Sequence, residues 1–138
     1  MYSIGDLSRR TGVKVPTIRY YEQMGLISAP DRTEGNQRRY EKAELDRLTF
    51  IRHARDLGFP IEAIRELLSL SRHPEEPCER ADQIAREQLE EVRDKIARLR
   101  KLESELDRIA SHHHDHHTVG DCYVIRALSD HALCEAEH

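Results

Sequence analysis

The feature that most constrains the fold is a stretch of 32 residues, 79–110, that holds neither glycine nor proline and is rich in Ala, Glu, Leu, Arg and Lys. This composition predicts one continuous helix of about 45 Å, at about 1.5 Å per residue. Its apolar residues recur at alternating intervals of three and four, with one three-residue phase slip: Leu89, Val92, Ile96, Leu99, Leu102, Leu106 and Ile109. Such a stripe predicts a coiled coil. Because little other sequence is left to cover the stripe within the chain, we expect it to pair with a second copy.

The residues at the start of the chain predict a helix-turn-helix. Ser3 and Asp6 form a capping-box pattern for a first helix that ends before Gly12. A second helix is predicted over 16–24, since a proline suits its first position and Gly25 suits its C-terminal cap. Two short helices joined by a tight, glycine-containing turn have the helix-turn-helix arrangement.

The segment 29–40, APDRTEGNQRRY, is rich in turn-forming residues and carries arginines, which predicts a hairpin or loop that acts as a wing. Two further helices are predicted, because apolar residues recur at helical spacing over 41–57 and 61–68. The polar segment that follows, bracketed by proline, predicts a linker. We therefore expect a winged helix-turn-helix domain over 1–70, a linker over 71–77, a dimerisation helix over 78–111 and a C-terminal tail over 112–138.

Charge is distributed unevenly along the chain. Residues 1–55 hold 11 Lys/Arg against 7 Asp/Glu, whereas residues 56–138 hold 11 against 19, so the two parts carry +4 and −8. Phosphate binding needs positive potential at the contact, so nucleic acid suits only the first part as a partner. No stretch approaches the roughly 20 apolar residues that span a bilayer, and the N-terminus has no signal-peptide pattern. We expect a cytoplasmic protein with no membrane partner.

The C-terminal tail concentrates imidazole and thiol groups. Five histidines lie within 112–117, and Cys122, His131 and Cys134 follow, while Cys78 precedes the long helix. Three cysteines are too few for a disulfide framework, and in a reducing compartment they are thiols or metal ligands. Thiolate and imidazole suit Zn²⁺ and its heavier relatives, whereas Mg²⁺ and Ca²⁺ prefer oxygen. The tail therefore predicts a soft or borderline divalent metal ion as cofactor.

The opening IGDLSRRTGVKVPTIRYYEQMGLI, followed by GNQRRY, resembles the DNA-binding domain of the MerR family of transcription regulators. The resemblance covers about residues 2–70, and the order of linker, long helix and cysteine-bearing tail continues it to about residue 134. It implies a mainly α fold with three parts: a winged helix-turn-helix, a long antiparallel coiled-coil dimerisation helix, and a short C-terminal metal-binding loop and helix. It also implies a homodimer that binds double-stranded promoter DNA together with RNA polymerase, and that distorts the DNA when its ligand binds.

In that family the second helix enters the major groove and the wing holds the DNA backbone. The corresponding DNA-binding residues here are Lys14, Thr17, Arg19 and Tyr20 on or next to the second helix, and Arg38 and Tyr40 from the wing. We expect these side chains to contact base edges and phosphates. The alternative for any one of them is that a tyrosine caps the core or that an arginine is simply solvated.

In metal-sensing relatives a cysteine at the start of the dimerisation helix marks sensors of divalent ions, and Cys78 has that position. Antiparallel helices would bring it beside the far end of the partner's helix, where the tail begins. The segment SHHHDHHTVGDCYVIRAL resembles the metal-binding loop of zinc-responsive members. His112 and His113 then replace two adjacent cysteines. His117 takes the histidine position, and Cys122 takes the cysteine position that precedes a short helix.

Replacing two thiolates by imidazoles lowers the sulfur count and favours zinc over mercury or lead. His131 and Cys134 are similar to the extra tail donors of cadmium and lead sensors, so Cd²⁺ or Pb²⁺ is the alternative cofactor. Two other interpretations of the loop stay open. One is that a different pair of its imidazoles binds the metal, and the other is that the histidines form a low-affinity, disordered metal-binding stretch.

Other functional classes fit the sequence less well. A zinc hydrolase would need an HExxH-type pair or a general base beside the histidines. No HExxH pair is present, and Asp115, inside the histidine cluster, has no apparent apolar pocket around it. A drug-responsive member of the same family would carry a large ligand domain, but only about 28 residues follow the long helix. A redox sensor would carry several closely spaced cysteines. We therefore expect a regulator and not an enzyme.

Overall fold

The computed structural model describes residues 1–28, 39–111 and 118–130. These residues form six α-helices: α1 (Ile4–Thr11), α2 (Val15–Gln23), α3 (Lys42–Asp56), α4 (Ile61–Ser71), α5 (Glu79–Ser111) and α6 (Tyr123–Ser129). A short 3₁₀ helix covers Val119–Asp121. The mainly α architecture with one long helix is the predicted one. Among the described helices, none combines the length and apolar character needed to cross a membrane.

Local sequence sets both ends of α1. The Asp6 amide donates to Ser3 Oγ and the Ser3 amide donates to the Asp6 carboxylate, each over 3.1 Å, so the predicted capping box is confirmed. The backbone hydrogen bond from Ser3, more than the nearby Arg9, holds the pKa of Asp6 below its ordinary value of 3.8. Gly12 ends the helix at a φ of 75°, a left-handed conformation that glycine adopts without steric cost.

The chain divides into two compact units, Met1–Ala85 and Arg86–His138. In the first unit, α1 to α4 surround one hydrophobic core. Its largest fully buried side chains are Leu7, Ile18, Leu26, Ile27, Tyr40, Leu48, Ile51 and Ile64. Every one of the four helices contributes to this core, as the apolar periodicity predicts, and each such side chain contributes about 1.5–3 kcal/mol through burial.

A single antiparallel bridge joins the N-terminal segment to the chain just before α3. The Tyr2 amide donates to the Tyr40 carbonyl and the Tyr40 amide donates to the Tyr2 carbonyl, each over 2.7 Å. Sequence periodicity did not predict this pairing, because one bridge is too short to leave an alternating pattern. The bridge fixes the point at which the chain returns from the predicted wing, of which residues 29–38 lie outside the described residues.

α5 begins directly after Cys78 and runs for 33 residues, close to the predicted bounds. Every residue over 89–101 is exposed. That stretch includes the first four members of the apolar stripe, which are 36–63% exposed: Leu89, Val92, Ile96 and Leu99. The described residues of one chain therefore leave this part of the stripe uncovered. On the N-terminal side, α4 extends through Ser71, the first residue of the predicted linker.

Candidate DNA-binding surface and metal centre

α2 has one buried and one exposed face. Ile18 and Tyr21 are 0% and 7% exposed and belong to the core. Tyr20 points the other way and keeps 49% of its surface exposed, although its ring centroid lies only 6.1 Å from that of Tyr21. The other residues predicted to contact DNA from this helix are Lys14 and Arg19, which are exposed, and Thr17, which is half-buried. One tyrosine of the pair thus packs in the core, and the other is available to a partner.

Two arginines hold the C-terminal end of α2 against the helices that follow. Arg47 of α3 donates to the Leu26 carbonyl over 2.9 Å, and Arg65 of α4 donates to the Met24 carbonyl over 2.8 Å. Met24 is the C-terminal cap of α2, and Leu26 lies two residues beyond it. Carbonyls at the end of a helix lack partners within it, so a charged donor satisfies that of Met24 well. These contacts fix the end of α2, and the sequence analysis missed them because an arginine on a solvated helix face has the same spacing.

Tyr40 lies in the core, which corrects its predicted role at the DNA surface. Its side chain is 0% exposed and its hydroxyl donates to the Glu22 carboxylate. A fully buried ring offers no atom to a base or a phosphate, so we remove Tyr40 from the proposed DNA contacts. The prediction went astray because an aromatic residue after two arginines has the same sequence pattern whether its ring points inward or outward. Arg38, the other wing residue, lies outside the described residues.

A forked ion pair joins the first turn of α5 to α4. Arg80 Nε donates to both carboxylate oxygens of Glu66, over 2.8 and 3.0 Å, and Arg80 Nη2 donates to Oε2 over 2.7 Å. The hydrogen bonds from Arg80 hold the pKa of Glu66 below its ordinary value of 4.5. Because Cys78 lies two residues before Arg80, this pair anchors the turn of helix that follows the thiol.

Two of the predicted metal ligands lie among the described residues. Cys78, directly before α5, is exposed, and its Sγ lies 3.9 Å from a carboxylate oxygen of Asp82. Cys122, directly before α6, is half-buried. The other predicted ligands lie outside the described residues: His112, His113, His117, His131 and Cys134. The described part of a single chain does not gather three His, Cys, Asp or Glu side chains into a metal site. Thiols suit Zn²⁺ as ligands, and a zinc site at either cysteine would need further donors from the tail or from a second chain.

The backbone around Cys122 is well defined by hydrogen bonds. Its amide donates to the Val119 carbonyl over 3.2 Å, and its carbonyl accepts from the Arg126 amide over 3.0 Å. The next residue, Tyr123, accepts a 2.6 Å hydrogen bond at its hydroxyl from Arg108 Nη1 of α5. Cys122 therefore lies at the junction between a 3₁₀ turn and a short helix that is itself linked to α5.

Similar proteins support a regulatory role. The HTH-type transcriptional regulator ZntR of Escherichia coli strain K12 is 46% identical over 110 residues, which cover 79% of this chain and 78% of that protein. The heavy metal-dependent transcription regulator 2 of Rhizobium meliloti strain 1021 is 38% identical over 128 residues, or 93% of this chain and 86% of that protein. The crystal structure of the transcription regulator PbrR691 from Ralstonia metallidurans CH34, in complex with lead(II), has a TM-score of 0.78 and 35% identity. That match covers 93% of this chain and 99% of the other.

Two family models match the chain directly. Residues 2–71 match the model described as MerR HTH family regulatory protein, and residues 45–109 match the one described as MerR, DNA binding. Together they cover the helix-turn-helix, α3, α4 and most of α5. The chain therefore belongs to the MerR family of helix-turn-helix proteins, which are DNA-binding transcription regulators and not enzymes.

Proposed function

We propose that this protein is a metal-responsive regulator that binds promoter DNA as a homodimer and activates transcription when Zn²⁺ binds. The observation that carries the proposal is the placement of the two described thiols, since Cys78 directly precedes α5 and Cys122 directly precedes α6. Similarity supports it, because one relative is named as heavy metal-dependent and a similar solved structure holds lead(II).

DNA binding is assigned to the exposed side of α2 and to the wing. Lys14, Arg19 and Tyr20 are exposed on or beside a helix whose other face is fixed in the core. With Thr17, these side chains present donors and an aromatic edge to the major groove, and Arg38 supplies a phosphate contact from the wing. The net positive charge of residues 1–55, which include α2 and the wing, gives this part of the chain the potential that phosphate contacts require.

Dimerisation is assigned to α5. Its exposed residues over 89–101 include four members of an apolar stripe. A helix of this length gains most of its stability from packing of its apolar face. An antiparallel coiled coil with a second α5 would bury the stripe and keep the charged faces in solvent.

The metal site is assigned to both subunits. If two α5 helices pair antiparallel, Cys78 of one subunit lies near the end of the partner's α5, where residues 112–117 follow. Zn²⁺ usually takes about four nitrogen or sulfur ligands. We draw these ligands from Cys78 of one chain and from Cys122, His112, His113 and His117 of the other, and His131 and Cys134 are further candidate donors from the tail.

Cadmium or lead is the second candidate effector. Three cysteines from two chains would provide a thiolate-rich site, and the similar PbrR691 structure contains lead(II). Softer ions prefer such sulfur ligands. Titration of the same protein with Zn²⁺, Cd²⁺ and Pb²⁺ decides between them, because the true effector will activate transcription at the lowest free concentration.

The proposed switch is a difference in stability between two dimer conformations. Bound Zn²⁺ supplies a cross-link between the subunits. Bending and untwisting a promoter costs several kcal/mol by elastic estimates, so ligand contacts must favour the DNA-distorting dimer by a comparable amount. The Arg80–Glu66 pair ties the turn after Cys78 to α4, and Arg65 of α4 in turn holds the end of α2. This series of contacts connects Cys78 to the DNA-binding helix α2. RNA polymerase would then meet the promoter in its distorted form.

A subunit-mixing experiment tests the shared site. Cys78→Ser and Cys122→Ser homodimers should each lose zinc-induced transcription and high-affinity zinc binding, and both should keep promoter binding. In a heterodimer of the two variants, one site keeps both native cysteines and the other keeps neither, so a high-affinity site should reappear on zinc titration. A site built within one chain would lose a cysteine in both subunits. Failure to recover binding in the heterodimer would exclude the cross-subunit site.

A further inference from the structure

Near its C-terminal end, α5 carries an arginine that contacts the first residue of α6. Arg108 Nη1 donates to the Tyr123 hydroxyl over 2.6 Å, and Arg108 Nη2 lies 3.4 Å from the Glu105 carboxylate. The Arg108 side chain is 22% exposed and that of Glu105 is 6% exposed. A charged donor makes a stronger hydrogen bond than a neutral one, and shielding from water strengthens it further. This contact is therefore a specific attachment of Tyr123 to α5.

α6 depends on attachments of this kind, because its seven residues make only two helical turns. Helices this short are unstable in water on their own. The face of α6 that carries Tyr123 also carries Ala127, one turn later, which is 0% exposed. Val124, Ile125 and Leu128 on the other faces are 38–73% exposed. The Tyr123–Ala127 face is thus the one by which α6 is held in its unit.

Holding Tyr123 also restricts Cys122, the described tail ligand assigned above. A site with a ligand that is restricted before the metal arrives has less conformational entropy to lose on binding.

We propose that Arg108 is a positioning residue for the metal site, because through Tyr123 it fixes Cys122. Tyr123 is the residue bonded directly to Cys122, so holding its ring holds the backbone from which the thiol projects. This inference rests on the proposed function, because it needs Cys122 to be a ligand. It concerns the affinity for the metal and leaves DNA contacts to the first unit.

Zinc affinity of the full-length protein, measured by competition with a chelator, tests the proposal. Tyr123→Phe removes only the hydroxyl and should weaken zinc binding about tenfold, the scale of a hydrogen bond to a charged group. Arg108→Met should weaken it to a similar degree, and Arg108→Lys, which keeps a cationic donor, should weaken it less. The double variant Tyr123→Phe/Arg108→Met should be no worse than Arg108→Met alone, because that substitution already removes the hydrogen bond to Tyr123.

The matched control is Arg98→Met, which removes an exposed arginine from the same helix and should leave zinc affinity unchanged. A second readout needs no metal. The Arg126 and Asp130 amides, which donate to the Cys122 and Arg126 carbonyls over 3.0 Å, should exchange hydrogen faster in metal-free Tyr123→Phe than in the wild type. Promoter affinity without metal should be the same in all variants.

The outcomes separate this inference from the function on which it rests. If the wild type binds zinc tightly and Tyr123→Phe and Arg108→Met bind it equally well, the positioning role is wrong and the proposed function stands. Additive losses in the double variant would also overturn it, because the residues would then act independently. If the wild type itself binds neither zinc, cadmium nor lead, the proposed function fails and the inference fails with it. Should Arg108→Met unfold, as judged by circular dichroism, Tyr123→Phe decides the matter.

Discussion

Gly12 and Arg52 are in contact at the turn between α1 and α2. Arg52 of α3 reaches across to donate a hydrogen bond to the Thr11 carbonyl. A Cβ atom on Gly12 would overlap Arg52 Nη1, and the φ of 75° at Gly12 is one that side-chain-bearing residues rarely adopt. The turn of the helix-turn-helix is thus closed by a glycine that leaves room for an arginine from another helix.

Gly12→Ala should therefore destabilise the protein by about 1–2 kcal/mol, because alanine is strained at positive φ and displaces Arg52. Urea unfolding of the metal-free protein at fixed concentration measures the change. Gly5→Ala is the control, since a Cβ there meets nothing closer than 3.6 Å. Within helix α1 it should be neutral or stabilise by about 0.5 kcal/mol. Equal effects of the two substitutions would contradict the role of the turn.

Tyr40→Phe should leave promoter affinity within about twofold of the wild type, because the buried ring has no access to DNA. It should cost about 1 kcal/mol of unfolding free energy through the lost hydrogen bond to Glu22. Tyr40→Ala should cost about 3–5 kcal/mol by leaving a cavity. Electrophoretic mobility shifts and urea unfolding provide the two readouts. A stable Tyr40→Phe protein with much weaker DNA binding would show that the Tyr40 hydroxyl does contribute to promoter binding.

Arg19→Ala and Tyr20→Ala should weaken promoter binding without changing zinc affinity, because both side chains lie on the exposed side of α2. If Arg19 contacts a phosphate, Arg19→Ala should also reduce the slope of log affinity against log salt concentration by about one in magnitude. Arg98→Ala removes the same charge from the second unit and is the control. Footprints indistinguishable from the wild type would contradict the assignment of this face.

Ile96→Glu should shift the full-length protein from dimer to monomer, because it places a charge in the exposed apolar stripe of α5. Sedimentation at micromolar concentration measures the change. Arg98→Glu lies on the opposite side of the same helix and should remain dimeric. A dimeric Ile96→Glu protein would show that another surface carries the association.

The pH dependence of stability should reveal the Arg80–Glu66 pair. The pKa of Glu66 is lowered in the folded protein, so ionised Glu66 stabilises the fold. This contribution is complete above the ordinary carboxyl pKa near 4.5, and it is lost as the pH falls through the lowered pKa. The wild type should therefore be more stable than Glu66→Gln at pH 7, and the difference should shrink below about pH 4.5. Glu62→Gln, on an exposed position of the same helix, should show a smaller difference. A Glu66→Gln difference that does not change with pH would contradict the ion pair.

The features that sequence predicted correctly depend on interactions over a few residues. The capping box of Ser3 and Asp6 spans three positions, and the turn at Gly12 depends on one backbone conformation. The length of α5 follows from a run without helix breakers. Because these interactions are local, residue spacing alone contains the information needed to predict them.

Tertiary structure decided which distant groups meet. The hydrogen bonds from Arg47 to Leu26, from Arg65 to Met24 and from Arg108 to Tyr123 join residues 21, 41 and 15 positions apart. The inward direction of Tyr40 likewise depends on Glu22, 18 positions away. Sequence predicted Tyr40 at the DNA surface and made no prediction for the three arginines, because the same residue type suits a solvated face and a buried contact. Only the packing of the helices determines which carbonyl or carboxylate comes within about 3 Å of each donor, and spacing along a chain does not encode that geometry.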